Sequence, residues 1–286
     1  MTGGRLTELF SHSRLKCFEN CAKQFHFRYV LQLPQETEGV EAFVGKRVHE
    51  ILERLYIFVG QGTVPSLPQV KIRYEQLWDA EYDPDRVKIV REGVPLSFYR
   101  ELGIRCLESY YRSHYPFDRD ETLGVEERVE FDLDPAAPGK YRMQGIIDRI
   151  ARAQDGVLEI QDYKTGNYVP SQKAIDEDRQ LALYQIGLAD RYASDESIRL
   201  VWHYVARGIV RRSSRTPEQL QKLRTTCIAA IDKIRGEERY EAKKNQLCSW
   251  CEYKSVCPAW NPDALPPHPP SAPQPPATGP KQLTLL

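Results

Sequence analysis

Cys248, Cys251 and Cys257 form a C-x2-C-x5-C cluster near one end of the chain, and Cys21 lies far upstream in Phe18-Glu-Asn-Cys21-Ala-Lys-Gln-Phe25. A centre that drew on both would force the two ends of the fold together. No local propensity constrains the topology as strongly. A zinc ribbon normally uses two C-x2-C pairs. Here one pair is followed by a five-residue spacing and then Cys257-Pro258, so the fourth ligand must come from a distance. That pattern favours an iron–sulfur cluster, with zinc as the alternative. Cys17, one helical turn from Cys21, is a second candidate for the distant place. Seven cysteines in a reducing compartment argue for a metal centre, not a disulfide framework. Cys17, Cys106 and Cys227 are then bystanders.

The chain is long enough to bury one large core, or one core with a helical insertion. Lys+Arg and Asp+Glu balance at 40 each, which neither supports nor excludes a polyanionic partner, since a small basic groove suffices for nucleic acid. No apolar run reaches the roughly 18 residues of a membrane span, and no signal-peptide pattern opens the chain. The expectation is a soluble cytoplasmic protein, nucleoid-associated, without a membrane partner.

Apolar residues recur at helical spacing from Glu41 to Val59, and Phe18 to Tyr29 also reads as helix. Residues 70–115 are helix-like, so positions of about 60–120 are expected to be a helical insertion. From Leu123 the period changes to that of strands, over 125–133, 141–151 and 157–163. A helix over 177–192 and a strand over 198–206 follow. Thr216-Pro217-Glu218-Gln219 opens another helix with a capping box, and Gly236 ends it. The domain is expected to close at about residue 261. Nine of the 20 prolines fall between Pro262 and Pro280, which marks 262–280 as a stiff disordered linker before a terminal peptide at 281–286.

Within the strands, Asp162 and Lys164 are alternate residues and share a face. A hairpin centred on Asp155 places Asp148 across from Asp162, at the roughly 4.5–5.5 Å of cross-strand neighbours. A two-residue Asp155-Gly156 turn would instead put the two carboxylates on opposite faces, so a shared cation demands an odd-length loop or a bulge. Two carboxylates and a lysine suit Mg2+ or Mn2+ and phosphate chemistry. His49, at the edge of a helical apolar stripe, and Gln180-x-x-x-Tyr184, an i, i+4 pair, carry weaker signals of their own.

The ordered set Ser13-Arg14-Leu15, Cys21, His49, Gly145-x-x-Asp148, Asp162-Tyr-Lys164, Gln180-x-x-x-Tyr184 and Cys248-x2-Cys251-x5-Cys257-Pro258 resembles the RecB-type branch of the PD-(D/E)XK nucleases. It is most similar to the iron–sulfur members: AddB-type helicase–nuclease subunits, CRISPR-associated RecB-like nucleases and exonuclease V. The resemblance spans roughly Leu6 to Trp260. It implies an α/β fold with a restriction-endonuclease-like αβββαβ core and flanking helices. It also implies Mg2+- or Mn2+-dependent DNA cleavage, with His49, Asp148 and Asp162 as metal ligands and Lys164 catalytic. Gln180 and Tyr184 are implied beside the site and the DNA. Cys21, Cys248, Cys251 and Cys257 would hold a 4Fe–4S cluster. Ala22 departs from the proline usual after the first cluster cysteine, and the insertion exceeds that of the smallest members.

The resulting expectation is a DNA exonuclease or end-processing nuclease of repair, recombination or replication. A prespacer-trimming nuclease working with CRISPR adaptation proteins is one alternative, and a noncatalytic DNA-binding scaffold subunit is another. A helicase is a candidate partner. Arg207, Arg211, Arg212 and Arg215 are candidate phosphate contacts, and Tyr110 and Tyr111 could stack bases, although core packing also explains them. Gln282, Leu283, Leu285 and Leu286 resemble the short peptides that bacterial proteins insert into a DNA sliding clamp, with Leu286 in place of the usual Phe.

Overall fold

The computed structural model describes residues 9–189, 192 and 197–263. The linker from residue 264 and the terminal peptide with Gln282, Leu283, Leu285 and Leu286 lie outside the described residues. A two-residue strand, β1 (Phe10–Ser11), leads into α1 (His12–Asn20), where the Ser11 hydroxyl caps the first turn by accepting from Arg14 N. The helix expected from Phe18 to Tyr29 is interrupted. Cys21 adopts extended backbone (φ −161, ψ 109), and the chain resumes as α2 (Ala22–Phe25) and a π-helical turn, His26–Val30. A short strand, β2 (Glu38–Gly39), precedes α3 (Val40–Gly60), whose apolar stripe buries Phe43, Val44, Val48, Ile51, Leu52 and Leu55.

The segment read as an insertion is α4 (Leu67–Glu81), the strand β3 (Val87–Lys88) and α5 (Leu96–His114), with β3 pairing parallel to β2. These helices pack on α3, and with Tyr163 and Val205 they make one continuous core. They therefore form a layer on one side of the sheet, not an appendage. The sheet strands follow: β4 (Asp120–Asp132), β5 (Arg142–Ala153) and β6 (Leu158–Lys164). After them come α6 (Gln172–Asp176), α7 (Gln180–Leu188), β7 (Ile198–Tyr204), β8 (Ile209–Ser213) and α8 (Pro217–Arg235). The order α3-β4-β5-β6-α7-β7 is the expected αβββαβ core. Helix α8 starts with the foreseen box: Thr216 Oγ1 accepts from Gln219 N at 3.3 Å and Gln219 Oε1 accepts from Thr216 N at 2.8 Å. Among the described residues, no helix is long and apolar enough to cross a membrane.

Strand β5 organises the sheet. One edge pairs antiparallel with β4 along its length. The other edge carries β1 at Met143–Gln144, in parallel, and β6 at Arg149–Arg152, antiparallel. Among the described residues, Gly145 to Asp148 have no strand partner on that edge, which leaves a slot between β1 and β6. The β5–β6 connection has an odd-length loop, Gln154–Gly156. Ala153 N donates to Val157 O at 3.0 Å, and Gly156 takes the left-handed conformation (φ 80) that a three-residue hairpin needs. The pair Arg149↔Gln161 is the last rung, so Asp148 and Asp162 stand one step beyond it, at the mouth of the slot.

Candidate active site

Asp162 and Lys164 leave β6 on one face, where α7 covers them. Lys164 Nζ donates to Asp162 Oδ1 and to Gln180 Oε1, both at 3.0 Å, and Gln180 Nε2 donates to Asp162 Oδ1 at 2.9 Å. Asp162 is buried, and its Oδ2 accepts no well-directed hydrogen bond although Lys164 Nζ lies 2.8 Å away. Tyr184, one helical turn past Gln180, lies on Gly145 within the slot. A Cβ at residue 145 would sit 2.1 Å from the Tyr184 ring, so glycine is required there for close approach.

Asp148 meets β6 through backbone. Its Oδ2 accepts from Tyr163 N at 2.8 Å and lies 3.4 Å from His49 Nδ1. His49 Nε2 donates to Tyr163 O at 2.9 Å, so the ring from α3 spans the carboxylate and the peptide between Asp162 and Lys164. Glu126 of β4, which the sequence did not single out, completes the group. One ligand atom each from His49, Glu126 and Asp148 lie within 4.8 Å of one another.

Charge and burial set the protonation. Burial pulls the His49 imidazolium down, but the hydrogen bond and charge of Asp148, with the charge of Asp162, outweigh it and push the ring up to about 9. Burial pushes the Asp162 carboxyl up to about 6 against the pull of Lys164, and Glu126 up to about 7, helped by Asp148 and opposed by His49. An imidazole ligates metal only when neutral, so a cation held by His49 at neutral pH would have to displace its proton. With His49 as a ligand, Mn2+ affinity would rise by about tenfold per pH unit on the approach to pH 9. Calorimetric titration in buffers of different ionisation enthalpy should show the released proton, and His49→Ala should flatten the dependence.

The remaining candidates are dispersed. Arg211 is in register with Trp202 of β7 and Asp162 of β6, hence two strands from the site on the same row. Arg212 neighbours it on β8, a strand that its arginines concealed, and Arg207 is exposed in the turn before it. Arg215 donates through Nη2 to Ile175 O and Asp178 O, both at 2.9 Å, so its guanidinium ties α6 to the loop before α7. Tyr110 and Tyr111 are buried in the α3–α5 core, in keeping with the core-packing reading, and neither ring face is open to a nucleotide.

Cys21, Cys248, Cys251 and Cys257 line one cavity, together with Phe27 and Tyr253. The break at Cys21 turns its side chain away from the helical course and toward the C-terminal segment, whose 3-10 turns Gln246–Trp250 and Lys254–Val256 space the other three. Burial pushes the Cys251 thiol up to about 11, with Glu252, Cys21 and Cys257 adding to the shift and the Tyr253 N–H opposing it. Polar bonds also join the two ends. Arg28 Nε donates to Glu252 Oε1 at 2.9 Å, Gln24 Nε2 to Glu252 Oε2 at 3.1 Å, and Tyr253 OH to Leu33 O at 3.0 Å.

Residues 9–258 match the profile of the PD-(D/E)XK nuclease superfamily. A curated relative, one of the subunits of the ATP-dependent helicase/deoxyribonuclease of Streptococcus uberis, is 26% identical over 167 residues, covering 56% of this chain. The chain spans only 14% of that relative's length. A solved structure from Eubacterium rectale, provisionally described as an exonuclease, superimposes with a TM-score of 0.50 at 11% identity. It covers 93% of this chain and 91% of its own, a likeness of fold. With the profile running through every element of the core and the slot described above, the chain belongs to the PD-(D/E)XK nuclease superfamily.

Proposed function

We propose that this protein is a Mg2+- or Mn2+-dependent deoxyribonuclease that hydrolyses phosphodiester bonds at DNA ends during repair, recombination or replication. The observation that carries this reading is the convergence of His49, Asp148, Asp162 and Lys164 on the mouth of the slot in β5. Donor chemistry fits a hard cation: carboxylate oxygens, one imidazole and a buried Asp162 oxygen without a well-directed donor. When bound, the cation would lower the pKa of water and neutralise phosphate charge.

The chain's own groups supply the rest. Lys164 holds an ammonium beside Asp162, where it can orient a nucleophilic water and stabilise charge that develops on the phosphate. Gln180 fixes that ammonium through its amide oxygen and Asp162 through its amide nitrogen, so one side chain sets both positions. Tyr184 walls the slot with its ring packed on Gly145. Catalytic roles for Asp148, Asp162, Lys164, Gln180 and Tyr184 are part of the proposal.

The proposal extends to a 4Fe–4S cluster on Cys21, Cys248, Cys251 and Cys257. The support is that these four thiols line one cavity and that the C-x2-C-x5-C spacing with a distant fourth cysteine departs from the paired C-x2-C of a zinc ribbon. A helicase partner is proposed by analogy with the Streptococcus uberis relative, whose name joins helicase and deoxyribonuclease. The terminal peptide is proposed to engage a sliding clamp, on its sequence alone.

Incubating the protein with end-labelled linear DNA and with covalently closed circles, in Mg2+, Mn2+ or EDTA, tests the activity. The linear substrates should be degraded from their ends with either metal, and the circles should persist. Degradation of circles at the same rate would replace the end-processing reading with an endonuclease.

A further inference from the structure

We propose that Glu126 is a ligand of the divalent cation, so that the cation pocket reaches across β5 to β4. This rests on the metal-dependent nuclease reading and adds a residue that lies outside the motifs of the sequence. Pairs Val125↔Arg149 and Glu127↔Ile147 bracket Glu126 and Asp148, which places the two acids opposite each other on neighbouring strands. One oxygen from each, with a ring nitrogen of His49, fall within 4.8 Å of one another. An octahedral ion with bonds of about 2.1 Å holds its ligand atoms about 3–4.2 Å apart, so small side-chain movements would close this set around one cation.

The surrounding charge calls for a cation. Glu50 and Glu53 of α3 add their repulsion to that of Asp148 on Glu126, and Asp162 stands near Asp148 and His49. Against these carboxylates stand His49, Lys164, which is bonded to Asp162, and Arg47, which is shared between Glu50 and Glu81. Packing explains how Glu126 is aimed. Val125 packs against the α3–α5 core with Tyr163, whereas Val129 packs with Ile160 on the other side, so β4 changes face between them. Glu126 makes that change in left-handed backbone (φ 47), which glycine would adopt with less strain. A glutamate is held where the backbone alone would favour glycine.

Calorimetric titration of Mn2+ into the full-length protein and into E126Q, E126G and D162N tests the assignment. Both Glu126 variants should bind Mn2+ about tenfold more weakly or worse. In EDTA, E126G should melt at or above the wild-type temperature, because glycine relieves the left-handed residue. That result would show that its lost affinity is not lost folding. Wild-type affinity in either Glu126 variant would overturn the proposal. If the wild type bound no Mn2+, the metal-dependent reading itself would fall, and Glu126 with it. Binding lost in D162N but unchanged in the Glu126 variants would leave the nuclease reading standing and remove Glu126 alone.

Discussion

Replacing Lys164 with methionine is expected to lower the rate of DNA cleavage by about a thousandfold while Mn2+ still binds. Methionine keeps the apolar stem against α7 but removes the ammonium that touches Asp162 and Gln180. The carboxylate then loses a competitor for the cation, so affinity should hold or rise. The sign depends on pH. Asp162 already sits at about 6 because burial outweighs the pull of Lys164, and without that pull it moves higher. Mn2+ binding by Lys164→Met should therefore equal or exceed wild type at pH 8 and fall below it near pH 6. Equal losses of binding and cleavage at pH 8 would make Lys164 a structural residue.

On the proposed 4Fe–4S cluster, Cys251→Ala should lose its iron and lower the melting temperature by about 5 °C or more, since a cluster shared by both ends would contribute directly to folding. The polar bonds of Glu252 and Tyr253 to the first helices would persist, so the ends should loosen without separating. Cys106→Ala and Cys227→Ala should keep the iron, because both thiols are enclosed in apolar clusters away from the cavity. Protein purified anaerobically should be brown from thiolate-to-iron charge transfer. A colourless protein with one zinc per chain would give the site to zinc.

What the sequence made legible was local. Helix α3 announced itself by periodicity, α8 by Thr216, Pro217 and Gln219, and the β5–β6 hairpin by Asp155-Gly156. The odd-length loop could be demanded in advance because a side-chain period of two ties loop parity to the face on which Asp148 emerges. Features set by distant contacts stayed hidden. Nothing near Cys21 predicts extended backbone, which follows from its facing a segment at the other end of the chain. Strand β8 carries arginines that read from sequence as candidate phosphate contacts, not as a strand. Its place is fixed by β7, and Arg215 is drawn in by carbonyls of residues 175 and 178. Glu126 was unreadable for the same reason. Its alignment with Asp148 is set through the long β4–β5 connection, whose register the sequence does not announce.

Cleavage is proposed to proceed at the slot in β5 through a cation held beside Asp162. Single-turnover digestion of 5′-labelled linear DNA by wild-type protein and by Asp162→Asn, prepared in parallel and assayed with Mg2+ and with EDTA, tests it most directly. The account predicts cleavage by the wild type with Mg2+, none with EDTA, and a loss of about a thousandfold in Asp162→Asn at an unchanged metal-free melting temperature. Wild-type rates in Asp162→Asn, or cleavage that survives EDTA, would contradict it.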